Sequence, residues 1–174
     1  MNILVTGGTG FVGKALVESL LSRGDSVTVL TRSIEKAQAI FSEKTPQFLT
    51  ALYTLKDLNT FDAVINLAGE PIFDKKWTIQ QKEKLHHSRI DLTQQIVQLI
   101  NQSKYPPVLI SGSATGIYGD GGEDVITEDT NPSTQFTAQL CIDWENAAKQ
   151  ANTRVCLVRT GLVLSPKGGA FAKI

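Results

Sequence analysis

The residues best placed to do chemistry stand at the start of the chain. An apolar run, Asn2 to Val5, leads into Thr6-Gly7-Gly8-Thr9-Gly10-Phe11-Val12-Gly13, and the stretch that follows carries Leu16, Leu20 and Leu21 at helical spacing. A strand, a G-x-x-G-x-x-G turn and a helix, in that order, make a cradle for a dinucleotide pyrophosphate. Gly7 permits the tight turn, Gly10 lets the backbone approach the phosphates, and Gly13 lets the helix lie against the strand, so that helix N–H groups point at the anion. Glycines also serve turns that bind nothing, but the flanking strand and helix favour the cradle. Where a second strand would end, the chain reads Thr31-Arg32-Ser33. A carboxylate there would hold the ribose 2′-hydroxyl of NAD, whereas a guanidinium beside two hydroxyls suits a 2′-phosphate, so NADP is favoured over NAD. Further on, Asn66-Leu67-Ala68-Gly69 sets small residues where backbone must pass close to the adenosine side.

Other reactive side chains have plainer readings. His86 and His87 are adjacent on a helical stretch and point in different directions; with no third ligand at useful spacing, they predict a solvated face and no metal site. Cys141 and Cys156 lack metal-site spacing, and Cys141, without a histidine partner, is expected as a small buried residue. Asp143 and Glu145, beside Trp144, are expected to face solvent or an interface. Glu70 and Lys76-Trp77 follow a strand at the edge where open α/β sheets gather ligands, and Glu70 reads equally as a ribose or substrate contact and as a cap.

The elements that must position these groups follow from periodicity. Short apolar runs alternate with helical stretches, the pattern of an α/β fold with a doubly wound parallel sheet flanked by helices. Strands are expected at Ile3-Leu4-Val5, Ser26 to Leu30, Ala63 to Leu67, Val108 to Ser111 and Val155 to Arg159, with a weaker one near Gln47 to Leu52. Helices are expected from Gly13 to Arg23, Ile34 to Phe41, Ile79 to His87, Ile90 to Ser103 and Thr134 to Ala151. Thr78 with Gln81 makes a capping box, Pro106-Pro107 stops the fourth helix, and Phe136, Leu140 and Trp144 form one apolar stripe read as core. A length of 174 residues suits one domain. Acidic and basic residues balance at 17 each, which gives no attraction for nucleic acid or an anionic membrane. No apolar run is long enough to span a bilayer. The first strand begins at the second residue, which leaves no space for a signal peptide, and a reducing cytoplasm is the expected home.

With these pieces in place, the chain resembles the extended short-chain dehydrogenase/reductase superfamily, and within it the atypical, YfcH-like epimerase-family proteins (NAD-dependent epimerase/dehydratase-like). The matching stretches are Thr6 to Gly13, Thr31-Arg32, Asn66 to Ile72, Trp77, Ser88-Arg89, Ser111 to Gly119, Trp144-Glu145 and Arg159 to Ala170. The resemblance implies a Rossmann-like fold and an NADP site made by the glycine turn with Phe11 and Val12, by Thr31 and Arg32, by the Leu67-Ala68-Gly69 backbone, by Arg89 and by Val163. It implies a small-molecule substrate and, from the superfamily's habits, a homodimer formed through the last two long helices. Relatives continue into a substrate-side lobe that is essentially missing here, so residues 1–174 are expected to form the NAD(P)-binding Rossmann domain alone.

Superfamily oxidoreductases use a Ser or Thr, a Tyr and a Lys four residues after the Tyr, the lysine helping the phenol exchange a proton while hydride moves. Ser113 matches the serine. Where the tyrosine and lysine should open the last long helix, the chain reads Phe136-Thr137-Ala138-Gln139-Leu140-Cys141, with neither phenol nor amine. Tyr118 is the candidate substitute for proton transfer, but pocket lining is its preferred role because no helical lysine is placed to activate it. Glu128-Asp129 with Pro132 resembles the acidic loop bordering substrate, with surface solvation as the alternative. Two functions stand as expectations. One is an NADP-dependent oxidoreductase or epimerase acting on a small hydroxylated substrate, nucleotide-linked sugars among the candidates, with Ser113 and Tyr118 doing the chemistry. The other is a catalytically silent NADP-binding protein whose occupancy changes the surface offered to a protein partner, a role that fits the cell-division labels of some relatives.

Overall fold

The computed structural model describes residues 1–41, 44–166 and 168–169. Strands β1 (Asn2–Thr6), β2 (Ser26–Leu30), β3 (Gln47–Leu49), β4 (Ala63–Asn66), β5 (Val108–Ala114) and β6 (Val155–Thr160) form one sheet in the order β3-β2-β1-β4-β5-β6. Every neighbouring pair is parallel. Parallel neighbours need crossovers, and four are helical: α1 (Phe11–Ser22) leads to β2, α2 (Ile34–Ile40) to β3, α3 (Ile79–Gln102) to β5 and α4 (Phe136–Ala148) to β6. A short antiparallel hairpin of β7 (Leu164–Ser165) and β8 (Gly168–Gly169) follows the sheet. The chain starts at β1, winds outward through β2 and β3, then returns to the other side of β1 as β4. That reversal opens a crevice at the carboxyl ends of β1 and β4, where such Rossmann-like sheets take ligands.

Strands covered on both faces read as continuous apolar runs, and β1 shows the alternation inside one. Ile3 and Val5 pack with Val17, Leu20, Val27, Val29 and Phe41 under α1 and α2. Leu4 faces the other way, into Val64, Leu109, Ile96, Ile100 and Ala148 under α3 and α4. The predicted stripe Phe136, Leu140 and Trp144 lies in a third cluster with Leu85 and Ile90.

Two expectations change. The helices read as Ile79 to His87 and Ile90 to Ser103 are one helix of 24 residues, α3. Nothing at Ser88 or Arg89 breaks it: the Ser88 hydroxyl donates to the Leu85 carbonyl at 3.0 Å, and buried Leu85, Ile90, Thr93, Ile96 and Ile100 keep one stripe throughout. The weak strand ends at Leu49, and its last residue gives way to a single 3-10 turn, Leu52–Thr54. The Thr78 cap holds as read, its hydroxyl accepting from the Gln81 amide at 3.2 Å. Among the described residues, no helix is long and apolar enough to cross a membrane.

Candidate functional site

The glycine turn sits at the mouth of the crevice. Gly7 has φ of +68°, and a Cβ there would stand 2.7 Å from the Leu67 carbonyl. A Cβ on Gly13 would stand 2.1 Å from the Gly7 carbonyl oxygen, so β1, β4 and α1 approach as closely as backbone can. The Gly10 amide donates to the Gly7 carbonyl at 3.0 Å, and Gly10 caps α1 with no side-chain bond. The first-turn amides of Phe11, Val12 and Gly13 have no side-chain cap and no carboxylate in that turn, an arrangement that suits an anion. Phe11 and Val12 are exposed there.

A buried polar relay holds the two strand ends. The Thr6 hydroxyl donates to Asn66 Oδ1 at 2.7 Å and accepts from the Ala68 amide at 3.3 Å. Asn66 Nδ2 donates to Thr93 Oγ1 at 2.8 Å, Trp144 Nε1 donates to the same oxygen at 3.0 Å, and Thr93 itself donates to the Arg89 carbonyl at 2.6 Å. Thr93 was missed in the sequence. Its one signal is a hydroxyl on the buried stripe of α3, three residues from Ile90 and three from Ile96.

The other cofactor candidates border this crevice in two groups. Thr31 and Arg32 follow β2; the Thr31 hydroxyl accepts from the Ser33 amide at 3.3 Å. Arg32 is exposed and, among the described residues, has no ion-pair partner. Arg89 reaches back from α3, donating through Nη2 to the Glu70 carbonyl at 3.0 Å, while Ser88 Oγ accepts from the Glu70 amide at 2.9 Å. A Cβ on Gly69 would lie 2.7 Å from Arg89 Cζ, so Leu67-Ala68-Gly69 runs pressed between Gly7 and Arg89. Burial, opposed by Cys141 and Glu70, pulls the Arg89 guanidinium below its ordinary value. The Glu70 side chain meets Lys75 at 3.4 Å. Val163 is partly exposed on the loop after β6.

Ser113 and Tyr118 meet through Glu145 and Arg159, the first of which the sequence places elsewhere. Ser113 Oγ donates to Glu145 Oε1 at 2.7 Å. Arg159 grips the same carboxylate with Nε at 2.7 Å and Nη2 at 2.9 Å. Its Nη1 donates to the Tyr118 phenol oxygen at 2.6 Å and to the Glu128 carbonyl at 2.9 Å. Glu145 was expected at solvent or an interface; it is 2% exposed. The correction is topological: Ser113 and Arg159 are register partners on β5 and β6, and α4, the helix joining those strands, sets Glu145 above the pair. The Arg159 bond first, with Ser113 also contributing against burial, holds the Glu145 carboxyl below the usual glutamate value. Glu145 and Tyr118 push the Arg159 guanidinium upward in turn. Thr115, Tyr118, Gly119, Ile126, Thr127, Glu128 and Arg159 line a cleft of about 390 Å³ beside this chain of bonds. Ser113, 3% exposed, is not among its lining residues.

Cys141 is buried as expected, and burial pushes its thiol up, away from a reactive thiolate. His86 and His87 gain a neighbour that the sequence reading did not count. Asp91 stands one turn beyond His87, its Oδ2 lying 2.9 Å from His87 Nδ1.

The sequence pattern of the NAD dependent epimerase/dehydratase family matches residues 3–173. The chain is 38% identical, over a 180-residue alignment, to the chloroplastic epimerase family protein SDR39U1 homolog of Arabidopsis thaliana, covering 99% of this chain and 52% of that protein. It is 34% identical to the epimerase family protein YfhF of Bacillus subtilis, over 97% of this chain and 57% of that one. A solved structure of human epimerase family protein SDR39U1 (isoform 2) with NADPH has a TM-score of 0.86 at 30% identity, over 99% of this chain and 58% of the human one. A nucleoside-diphosphate sugar epimerase from Corynebacterium glutamicum has a TM-score of 0.81 at 31% identity, over 99% of this chain and 36% of that one. The chain spans about half the length of the curated relatives it matches.

Proposed function

The chain belongs to the NAD dependent epimerase/dehydratase family, and from that premise we propose that it binds NADP and acts on a small hydroxylated substrate as an oxidoreductase or epimerase. The observation that carries the proposal is the cradle: an uncapped helix N-terminus over a turn in which a Cβ on Gly13 would meet the Gly7 carbonyl oxygen at 2.1 Å. Gly7, Gly10, Phe11, Val12 and Gly13 would hold the diphosphate. Thr31 and Arg32 would hold the 2′-phosphate, and Leu67, Ala68, Gly69, Arg89 and Val163 would border the rest. The NADPH in the human relative's structure supports the phosphorylated coenzyme, as does the exposed Arg32, which has no ion-pair partner among the described residues.

When bound, the nicotinamide supplies the hydride acceptor or donor. The chain's own part is to orient the substrate and move a proton. Tyr118 accepts from Arg159, which leaves its O–H free to donate into the cleft. Ser113 donates to Glu145, which leaves its oxygen to accept from a substrate hydroxyl. Arg159 thus supplies the cationic donor beside a phenol that the superfamily takes from the helical lysine.

A second reading, a silent NADP-binding protein, is favoured by one fact: Ser113 is nearly inaccessible and its hydrogen is already engaged by Glu145. Calorimetry with NADPH and NADH tests the site, and heat from neither would remove it, whereas tighter uptake of NADH would remove only the Arg32 assignment. NADPH fluorescence across a panel of keto-sugars, with Tyr118→Phe as control, separates the two readings. Turnover lost in that variant supports chemistry; saturable binding without turnover supports the silent protein.

A further inference from the structure

The outward side of α3 carries a second group of ligating side chains that neither the cradle nor the cleft uses. His87 Nδ1 lies 2.9 Å from Asp91 Oδ2. The His86 ring stands at 89° to that of His87, with centroids 5.9 Å apart. One ligand atom from each of His86, His87 and Asp91 falls within 4.8 Å of the other two. From α4, Asp143 Oδ2 comes to 3.5 Å from His86 Nε2, and Gln139 Nε2 steadies that carboxylate by donating to Oδ1 at 2.7 Å.

We propose that His86, His87 and Asp91 bind a first-row divalent transition ion, of which Zn²⁺ is the representative. Two imidazoles and one carboxylate are a donor set suited to Zn²⁺, Ni²⁺ or Fe²⁺, whereas Mg²⁺ and Ca²⁺ are held by oxygen. Ligands at about 2.0–2.1 Å from a tetrahedral ion stand about 3.3 Å apart. Closing the group from its present spread takes a shift of roughly 1.5 Å, within reach of rotations about the side-chain torsions of exposed residues. His87 and Asp91 already face each other across one turn of a rigid helix, so little backbone order is lost on binding. Asp143 acts on the His86 imidazole from outside the coordination sphere, the relation by which carboxylates orient liganding histidines. Through it, an ion on α3 also engages α4. Three protein ligands leave the remaining positions to water, which sets this apart from the closed four-ligand sites that fold small domains.

The test uses the full chain, stripped with chelator and titrated with Zn²⁺ alone by calorimetry, with Co²⁺ absorption as a report on coordination. One equivalent is expected to bind per chain and to raise the melting temperature. His86→Ala, His87→Ala and Asp91→Ala should each weaken binding about tenfold or more, and Asp143→Asn by less. His87 and Asp91 are exposed and His86 is half-buried, and none of them borders the cradle, so circular dichroism and NADPH affinity should stay unchanged; His87→Gln and Asp91→Asn give the same readout should an alanine variant lose helicity. Absence of saturation into the millimolar range overturns the site. So does binding that survives all three substitutions, which would mean an adventitious ion only.

Discussion

Replacing Arg159 with methionine tests whether the bonds joining Ser113, Glu145, Arg159 and Tyr118 act as one unit. The substitution keeps much of the apolar stem and removes every guanidinium bond. Glu145, 2% exposed, then loses both of its short charged donors and keeps only the Ser113 hydroxyl and Lys149 Nζ at 3.7 Å. Removing one partner of a buried ion pair costs about 3–5 kcal/mol because it strands the other charge. The low end applies, since Ser113 and Lys149 remain and the Arg159 side chain is 23% exposed, so water can enter where it stood. About 3 kcal/mol in a chain of this size lowers the melting temperature by roughly 6–12 °C. Urea denaturation of Arg159→Met, Glu145→Gln and the double variant measures the coupling. The double variant should recover more than about 1 kcal/mol relative to Arg159→Met, because it no longer leaves a buried charge behind. Hydrogen exchange in the cleft wall should rise in Arg159→Met, since Tyr118 and the Glu128 carbonyl lose their common donor. A cost below about 1 kcal/mol, or strictly additive effects in the double variant, would refute the idea of a single unit.

Four shorter predictions follow from the same geometry. Gly13→Ala should lose about 1–3 kcal/mol of stability and all measurable NADPH binding by calorimetry, because its Cβ would stand 2.1 Å from a backbone oxygen that cannot move away freely. Arg32→Ala should weaken NADPH by about 10- to 100-fold and leave NADH unchanged, the worth of charge-assisted bonds to one phosphate. Thr93→Val keeps the shape but strands Asn66 Nδ2 and Trp144 Nε1 in the interior; denaturant midpoints should report a loss of about 2–5 kcal/mol. Glu145 gives a pH dependence with a definite sign. Its folded-state carboxyl is held below the ordinary 4.5, so its contribution is complete above that pH and lost as the pH falls through the folded value. An acid titration of stability should show that limb in the wild type and a flatter one in Glu145→Gln.

The parts legible in the sequence are those where one residue's neighbours along the chain decide its fate. Gly7 and Gly13 announce a strand, turn and helix because glycine suits the φ of +68° at the first and the 2.1 Å approach that a Cβ would make at the second. The strands were readable for a related reason: a strand buried on both faces leaves an apolar run, and Val27 to Val29 or Ala63 to Ile65 admit no other reading. What the sequence hid depends on partners far along the chain. Glu145 looks like a surface carboxylate on α4 until β6 brings Arg159 beneath it. Thr93 looks like a neutral helix residue until Asn66 and Trp144 converge on its hydroxyl. The expected gap between His87 and Ile90 is absent, because Ser88 and Arg89 bond within the helix and to the Glu70 backbone and so continue α3.

The unit made by β5, α4 and β6 shows how a fold can keep a site while exchanging its chemistry. Parallel neighbours in register put Ser113 beside Arg159 whatever lies between them in sequence. The crossover helix must then pack back over those same strands, so a residue one face of α4 offers inward lands on that pair. The superfamily's helical lysine would stand nearer the start of that helix, in the stretch Phe136 to Cys141. This chain places a carboxylate further along the helix and a cation on the strand, so Ser113 donates to Glu145 and Arg159 donates to Tyr118. A serine whose one proton goes to a carboxylate can only accept from a further partner, whereas a tyrosine that accepts from a guanidinium keeps its proton to donate. On the proposed function, a ligand in the cleft offers an acceptor oxygen to Tyr118, while Ser113, 3% exposed, steadies the far side of the same network through Glu145.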